Sequence, residues 1–87
     1  MQRFTDRTVI VTGSSKGIGA AIARRFAQEG ANVVLNSRSR DDLESVASDL
    51  DDARTLLVEG DVSDVAFAKE LVARTVERFG GLDCLVN

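Results

Sequence analysis

The stretch Thr12-Gly13-Ser14-Ser15-Lys16-Gly17-Ile18-Gly19 decides how this chain is read. Ahead of it stands Thr8-Val9-Ile10-Val11. Its apolar residues do not alternate with polar ones, as befits a parallel strand buried on both faces, and a strand is expected over about residues 7–12. Behind the glycines, Ile18, Ala21, Ile22 and Phe26 recur at helical spacing, with Arg24, Arg25 and Gln28 on the other face. This predicts a helix from Gly17 to Glu29, ended by Gly30 as the residue just past the helix. A strand that turns through glycines into a helix start is suited to holding a phosphate. The first helical N–H groups have no intrahelical partner, and the helix dipole adds partial positive charge there.

Within the turn, Gly13 lets the chain leave the strand sharply, Gly17 admits a pyrophosphate to the backbone, and Gly19 lets the helix pack close to the sheet. Ser14 and Ser15 are expected to add hydroxyls beside the phosphates. The spacing G-x-x-x-G-x-G departs from the G-x-G-x-x-G dinucleotide fingerprint. It is also not G-x-x-x-x-G-K-[ST], which excludes a nucleoside-triphosphate P-loop. A methyltransferase would want an acidic residue just before the glycines, and Thr12 stands there.

Downstream, strands and helices alternate. A second strand is expected over Asn32–Asn36 around Val33-Val34-Leu35, then a helix with Ser39 as N-cap and Asp42 in a capping-box-like place. Leu43, Val46, Ala47 and Leu50 give this helix its apolar side, and Asp49-Leu50-Asp51-Asp52 closes it. A third strand covers Thr55–Glu59, and Gly60-Asp61-Val62 is a turn. A third helix is expected with Ser63 as its cap and a buried face of Ala68, Leu71, Val72, Thr75, Val76 and Phe79. Gly80-Gly81 ends it, and Leu82–Asn87 forms a fourth strand in which Cys84 reads as a small buried hydrophobe. The pattern β-α-β-α-β-α-β implies an α/β, Rossmann-like doubly wound parallel sheet of strand order 3-2-1-4, incomplete as it stands. The crossover direction reverses between strands one and four. Open α/β sheets bind ligands at such a switch point, where the glycine turn also sits.

The bulk numbers narrow the function. The 87 residues make one small domain at most. A net charge of -3 argues against a nucleic-acid or anionic-membrane surface. A single cysteine and no histidine exclude a disulfide, a multi-cysteine zinc site and histidine-based catalysis within these residues. Met1-Gln2-Arg3-Phe4-Thr5-Asp6-Arg7 lacks the apolar core of a signal peptide, and no apolar run reaches membrane-span length. A cytoplasmic setting is the expectation. There is no tyrosine or tryptophan. The sequence stops at Asn87 just after an apolar run, so a fragment of a longer protein is expected. Residues 1–87 alone should be insoluble or molten because the fourth strand is an open apolar edge. A cooperative thermal transition with dispersed NMR signals would contradict this.

Thr12-Gly-Ser-Ser-Lys-Gly-Ile-Gly19 resembles the T-G-x-x-x-G-[IL]-G motif of the short-chain dehydrogenase/reductase family. Three more stretches match in order and spacing. Gly30-Ala31-x-Val33-Val34 resembles the family's G-A-x-V-V lead-in to strand two. Asp61-Val62-Ser63 resembles its D-V-[ST] turn beside the adenine. Leu82-Asp83-x-Leu85-Val86-Asn87 resembles its approach to N-N-A-G, cut after the first Asn. The resemblance covers essentially the whole chain and implies the N-terminal cofactor-binding half of a single NAD(P)-binding domain. It implies cofactor-binding roles for Gly13, Ser14, Ser15, Lys16, Gly17, Ile18, Gly19, Ser37, Arg38, Asp61, Val62 and Asn87, with Asn87 beside the adenosine ribose. After strand two, an acidic residue selects NAD by bonding the ribose 2′-OH, while an arginine accommodates a 2′-phosphate. Ser37 holds the acidic position and Arg38 follows, with Lys16 in reach. The expectation is NADP(H) in preference to NAD(H), because a guanidinium grips phosphate oxygens in pairs and Lys adds a point charge.

The resemblance further implies hydride transfer between the nicotinamide and a carbonyl or alcohol substrate, in a parent that is a homodimer or homotetramer. The family's tyrosine, lysine and serine lie beyond Asn87, so no catalytic residue and no metal ligand is assigned. The alternative is a non-catalytic nucleotide-binding or regulatory module. A downstream Tyr-x-x-x-Lys in the gene, or the intact mass of the protein, separates the two.

Overall fold

The computed structural model describes residues 4–87, so residues 1–3 of the polar N-terminal stretch lie outside the described part. Four strands and three α-helices follow in strict alternation: β1 (Thr8–Thr12), α1 (Gly17–Gln28), β2 (Asn32–Ser37), α2 (Arg40–Ala47), β3 (Thr55–Glu59), α3 (Val65–Phe79) and β4 (Cys84–Val86). All strand pairs are parallel and the sheet order is β3-β2-β1-β4. This is the α/β Rossmann-like arrangement that the alternation implies.

The unbroken apolar runs of β1 and β2 supply both faces of the sheet. Val9, Val11, Val33 and Leu35 pack with Ala20, Ala23, Leu43 and Val46, so α1 and α2 cover one face. Ile10, Val34 and Val58 pack with Leu71 of α3 on the other. Successive side chains in a strand point to opposite faces, so one register serves two cores. Register pairs Val9 with Val33 and Val11 with Leu35, which keeps each layer in line.

Several local expectations need correction. The inward side of α1 is Ala20 and Ala23, with Ile22, Phe26 and Ala27 partly buried, whereas Ile18 is 80% exposed and Ala21 is exposed. The small residues sit inward because α1 approaches the sheet closely. A Cβ on Gly19 would collide with the carbonyl oxygen of Gly13 and meet Ser14 Cα at 3.1 Å. Helix α2 stops at Ala47, and a short 3-10 turn, Asp52–Arg54, follows. Asp51 caps that turn by accepting the Ala53 N–H at 3.0 Å. The cap of α3 is Asp64, not Ser63: its Oδ1 accepts the N–H groups of Ala66 and Phe67 at 2.9 and 3.3 Å. Ser63 instead serves Asp61.

On α3, Leu71 and Thr75 are buried, but Val72 and Val76 are 40% and 43% exposed. Leu71 is the fully buried α3 residue of the core on this face, and Phe67 and Phe79 of the same helix pack against it, partly buried. Cys84 is exposed rather than buried. Among the described residues it lies on an edge strand paired with β1 alone, and Leu85 beside it is 51% exposed. Asp83 anchors that strand: its Oδ2 accepts the Thr8 N–H at 2.8 Å, and its own N–H donates to the Thr8 carbonyl at 2.9 Å.

Candidate functional site

The carboxyl ends of β1, β2 and β3 open onto one cleft of about 610 Å³. Gly13, Ser15 and Lys16 come to it from the glycine turn, Asn36 to Ser39 from the end of β2, Asp42 from α2, and Gly60 to Ser63 from the turn after β3. Of the residues singled out by sequence, Gly13, Ser15, Lys16, Ser37, Arg38, Asp61 and Val62 therefore meet in one place. Gly17, Ile18 and Gly19 stand outside the lining, in the first turn of α1. Asn87 lies at the end of β4 with its Oδ1 3.0 Å from the Thr12 hydroxyl, which places it beside the start of the glycine turn.

Gly13 and Gly17 hold φ of +62° and +55°, a region that L side chains disfavour. Nothing stands where a Cβ on Gly17 would point. The N-cap of α1, Lys16, makes no side-chain cap, and the first turn carries no acidic residue. The two helices that follow are capped by their own Ser39 and Asp64 side chains. The α1 start thus leaves its N–H groups uncapped by any side chain, while α2 and α3 close theirs. A pyrophosphate group fits this cradle on that observation.

Ser14 does not behave as expected of a phosphate-side hydroxyl. It is fully buried, and its Oγ accepts the Asn36 N–H at 3.0 Å and lies 3.3 Å from the Asn36 carbonyl. Its own N–H donates to the same carbonyl at 3.0 Å. Ser14 is a clasp between the turn and β2. Asn36, which sequence reasoning treated only as a strand end, is the other half of that clasp. It is also buried, and its Nδ2 donates to the carbonyls of Val58 and Gly60 at 3.0 and 3.3 Å. The one available signal was an amide side chain closing an otherwise apolar strand.

The electrostatics are local. Lys16 Nζ lies 3.7 Å from Asp42 Oδ2 across the cleft mouth. Asp61 Oδ1 accepts the Ser63 hydroxyl at 2.7 Å and the Ser63 N–H at 2.9 Å. These two bonds hold the Asp61 carboxyl below the usual carboxylate range, with a smaller contribution from the Arg38 charge. Arg40 turns away: its Nε lies 3.4 Å from Glu44 Oε1, and its Nη1 donates to the Leu57 carbonyl at 3.3 Å. Among the described residues, no group of three or more His, Cys, Asp or Glu side chains is placed to hold a metal ion. None of the described helices is long and apolar enough to cross a membrane.

Comparison with known proteins matches residues 7–87 to the short chain dehydrogenase family. The glucose 1-dehydrogenase of Gluconobacter oxydans is 45% identical over 87 residues, covering 97% of this chain and 33% of that protein. The glucose dehydrogenase of Caenorhabditis elegans superposes with a TM-score of 0.91 at 39% identity, over 98% of this chain and 38% of that one. A short-chain dehydrogenase/reductase of unknown function from Caenorhabditis elegans, solved with cofactor, superposes with a TM-score of 0.87 at 38% identity, over 94% of this chain and 32% of that one. The chain thus spans about a third of the length of the relatives it matches.

Proposed function

The chain belongs to the short-chain dehydrogenase family, whose members bind NAD or NADP, and from that premise we propose that it is the N-terminal, cofactor-binding part of an NADP(H)-dependent oxidoreductase. The observation that carries the NADP reading is the cleft mouth: Lys16 and Arg38 both line it, and Ser37 stands where an acidic residue would select NAD. A bound nicotinamide cofactor would supply hydride transfer to the carbonyl carbon of a small carbonyl substrate, or from the hydroxyl-bearing carbon of the corresponding alcohol.

The residues of this chain hold and orient. The glycine turn and the start of α1 receive the pyrophosphate on backbone N–H groups, with Ser15 at the cleft wall. Asp61 and Val62 face the adenine side, and Asn87 stands near the adenosine ribose. Lys16 and Arg38 take the 2′-phosphate, Arg38 through paired N–H donors. No residue here is assigned to proton transfer. Homodimeric or homotetrameric assembly and a cytoplasmic setting belong to the same proposal.

The test is a titration of the intact protein with NADP and NAD, repeated with Arg38→Asp. Charge-assisted bonds of about 1.5–3 kcal/mol predict that Arg38→Asp weakens NADP by roughly ten- to a hundredfold and leaves NAD equal or tighter. Tighter binding of NAD than NADP by the unsubstituted protein refutes the NADP assignment.

A further inference from the structure

Each cation lining the cleft mouth has a carboxylate for company. Arg38 shares the cleft with Asp61, and Lys16 Nζ stands 3.7 Å from Asp42 Oδ2. Asp42 is the better-fixed member of its pair. It lies in the first turn of α2, and its N–H donates to Ser39 Oγ at 3.3 Å, so the helix cap determines where its side chain starts. Its side chain is 39% exposed against 80% for Lys16. Lys16 thus reaches the pair on a long, mostly exposed side chain, and Asp42 on a short, less exposed one.

We infer that Asp42 is a specificity-determining residue of this cleft: it draws the Lys16 ammonium toward α2 and restrains the preference for a 2′-phosphorylated adenosine over one with a free 2′-hydroxyl. The inference rests on the proposed NADP reading and deepens it. A 2′-phosphate carries close to two negative charges. To use Lys16 it must take the ammonium from Asp42, and it must then sit near the Asp42 carboxylate. Both effects weaken the phosphorylated ligand. A free 2′-hydroxyl is neutral and meets neither. Asp41 offers an internal comparison, since it is an exposed carboxylate in the same first turn but does not line the cleft.

The test is equilibrium binding of NADP and of NAD to the intact protein and to Asp42→Asn, Asp41→Asn, Lys16→Ala and the Lys16→Ala/Asp42→Asn double variant, at low ionic strength. Release of one partly exposed ion pair predicts that Asp42→Asn tightens NADP about three- to fivefold and leaves NAD within about twofold. Asp41→Asn should change neither ligand. In the Lys16→Ala background the gain from Asp42→Asn should shrink to less than about twofold, because the two residues are coupled. An unchanged NADP-to-NAD ratio in Asp42→Asn overturns the inference, as does an equal gain from Asp41→Asn. A selective loss of NAD in Asp42→Asn also overturns it, by making the carboxylate a ribose acceptor. If the unsubstituted protein binds neither nucleotide, the cofactor reading itself falls; if it binds NADP while the ratio stays fixed, only the role of Asp42 falls.

Discussion

Asn36 offers the sharpest test of how the cleft is held open. Its buried Nδ2 spans the Val58 carbonyl on β3 and the Gly60 carbonyl in the next turn, at 3.0 and 3.3 Å. Its main chain clasps Ser14 through three contacts of 3.0, 3.0 and 3.3 Å. Asn36→Ala keeps the main-chain clasp and deletes only the amide. Two lost bonds at about 1 kcal/mol each, with the buried Val58 carbonyl left without this donor and the part-buried Gly60 carbonyl turned to the cleft, predict a loss of about 2 kcal/mol. That is a large share of the roughly 5–15 kcal/mol that holds a domain together. Asn36→Asp is worse and pH-dependent. Its carboxylate would face two carbonyl oxygens in a buried place, so the folded state favours the protonated form and raises its pKa. The folded state then binds more protons than the unfolded one. Stability is therefore greatest at low pH and falls as pH rises from about 3.9 through the raised value, by up to about 1.4 kcal/mol per pH unit. Urea denaturation of the intact protein and both variants at several pH values reads these terms. A loss below about 0.5 kcal/mol for Asn36→Ala, or parallel pH profiles for the two variants, would refute the donor assignment.

Two further outcomes follow from the same geometry. Gly19→Ala puts a methyl group against the backbone carbonyl of Gly13, which has no rotamer to retreat into. A loss of about 1–3 kcal/mol by thermal melting is expected, with a measurable rise in the nucleotide Kd because the turn must shift; a wild-type melting curve would contradict the close approach. For Asp61, the bonds from Ser63 and the Arg38 charge lower the folded pKa. The stabilisation they give is present above the usual carboxylate range and lost only as pH falls through the folded value. Urea denaturation should thus show an acid limb that Asp61→Ala flattens, and an unchanged limb in Asp61→Ala assigns it to another group.

The sheet was legible because its signal is redundant. Apolar runs, glycine turns and helix starts recur with short spacings, and each supports the same β-α alternation. Helix α1 shows where that logic fails. Helical spacing chose Ile18, Ala21, Ile22 and Phe26; Ile22 and Phe26 do pack against the core, but Ile18 and Ala21 are exposed and the fully buried positions are Ala20 and Ala23. Cys84 failed for a related reason. An apolar stretch predicts a strand, but not whether that strand has a neighbour on each side, and among the described residues β4 pairs with β1 alone. The α3 cap was misplaced by one residue because Ser63 and Asp64 are both good caps, and only the bonds from Ser63 to Asp61 free Asp64 for that task.

The cleft also limits what charge alone can do. Lys16 and Arg38 supply two positive charges to its lining, and Asp42 and Asp61 supply two negative ones, which leaves it neutral. The chain as a whole carries -3. A dinucleotide is itself an anion, so neither the local nor the overall charge of these residues draws it in from a distance. On the proposed reading, holding it depends on short-range groups that need no net charge: the side-chain-uncapped start of α1, the positive-φ glycines, and a guanidinium used for its paired donors. On this view discrimination at the 2′-position is a contest within hydrogen-bonding distance. A single carboxylate such as Asp42 then shifts it by a few-fold, where a strongly cationic cleft would swamp the change.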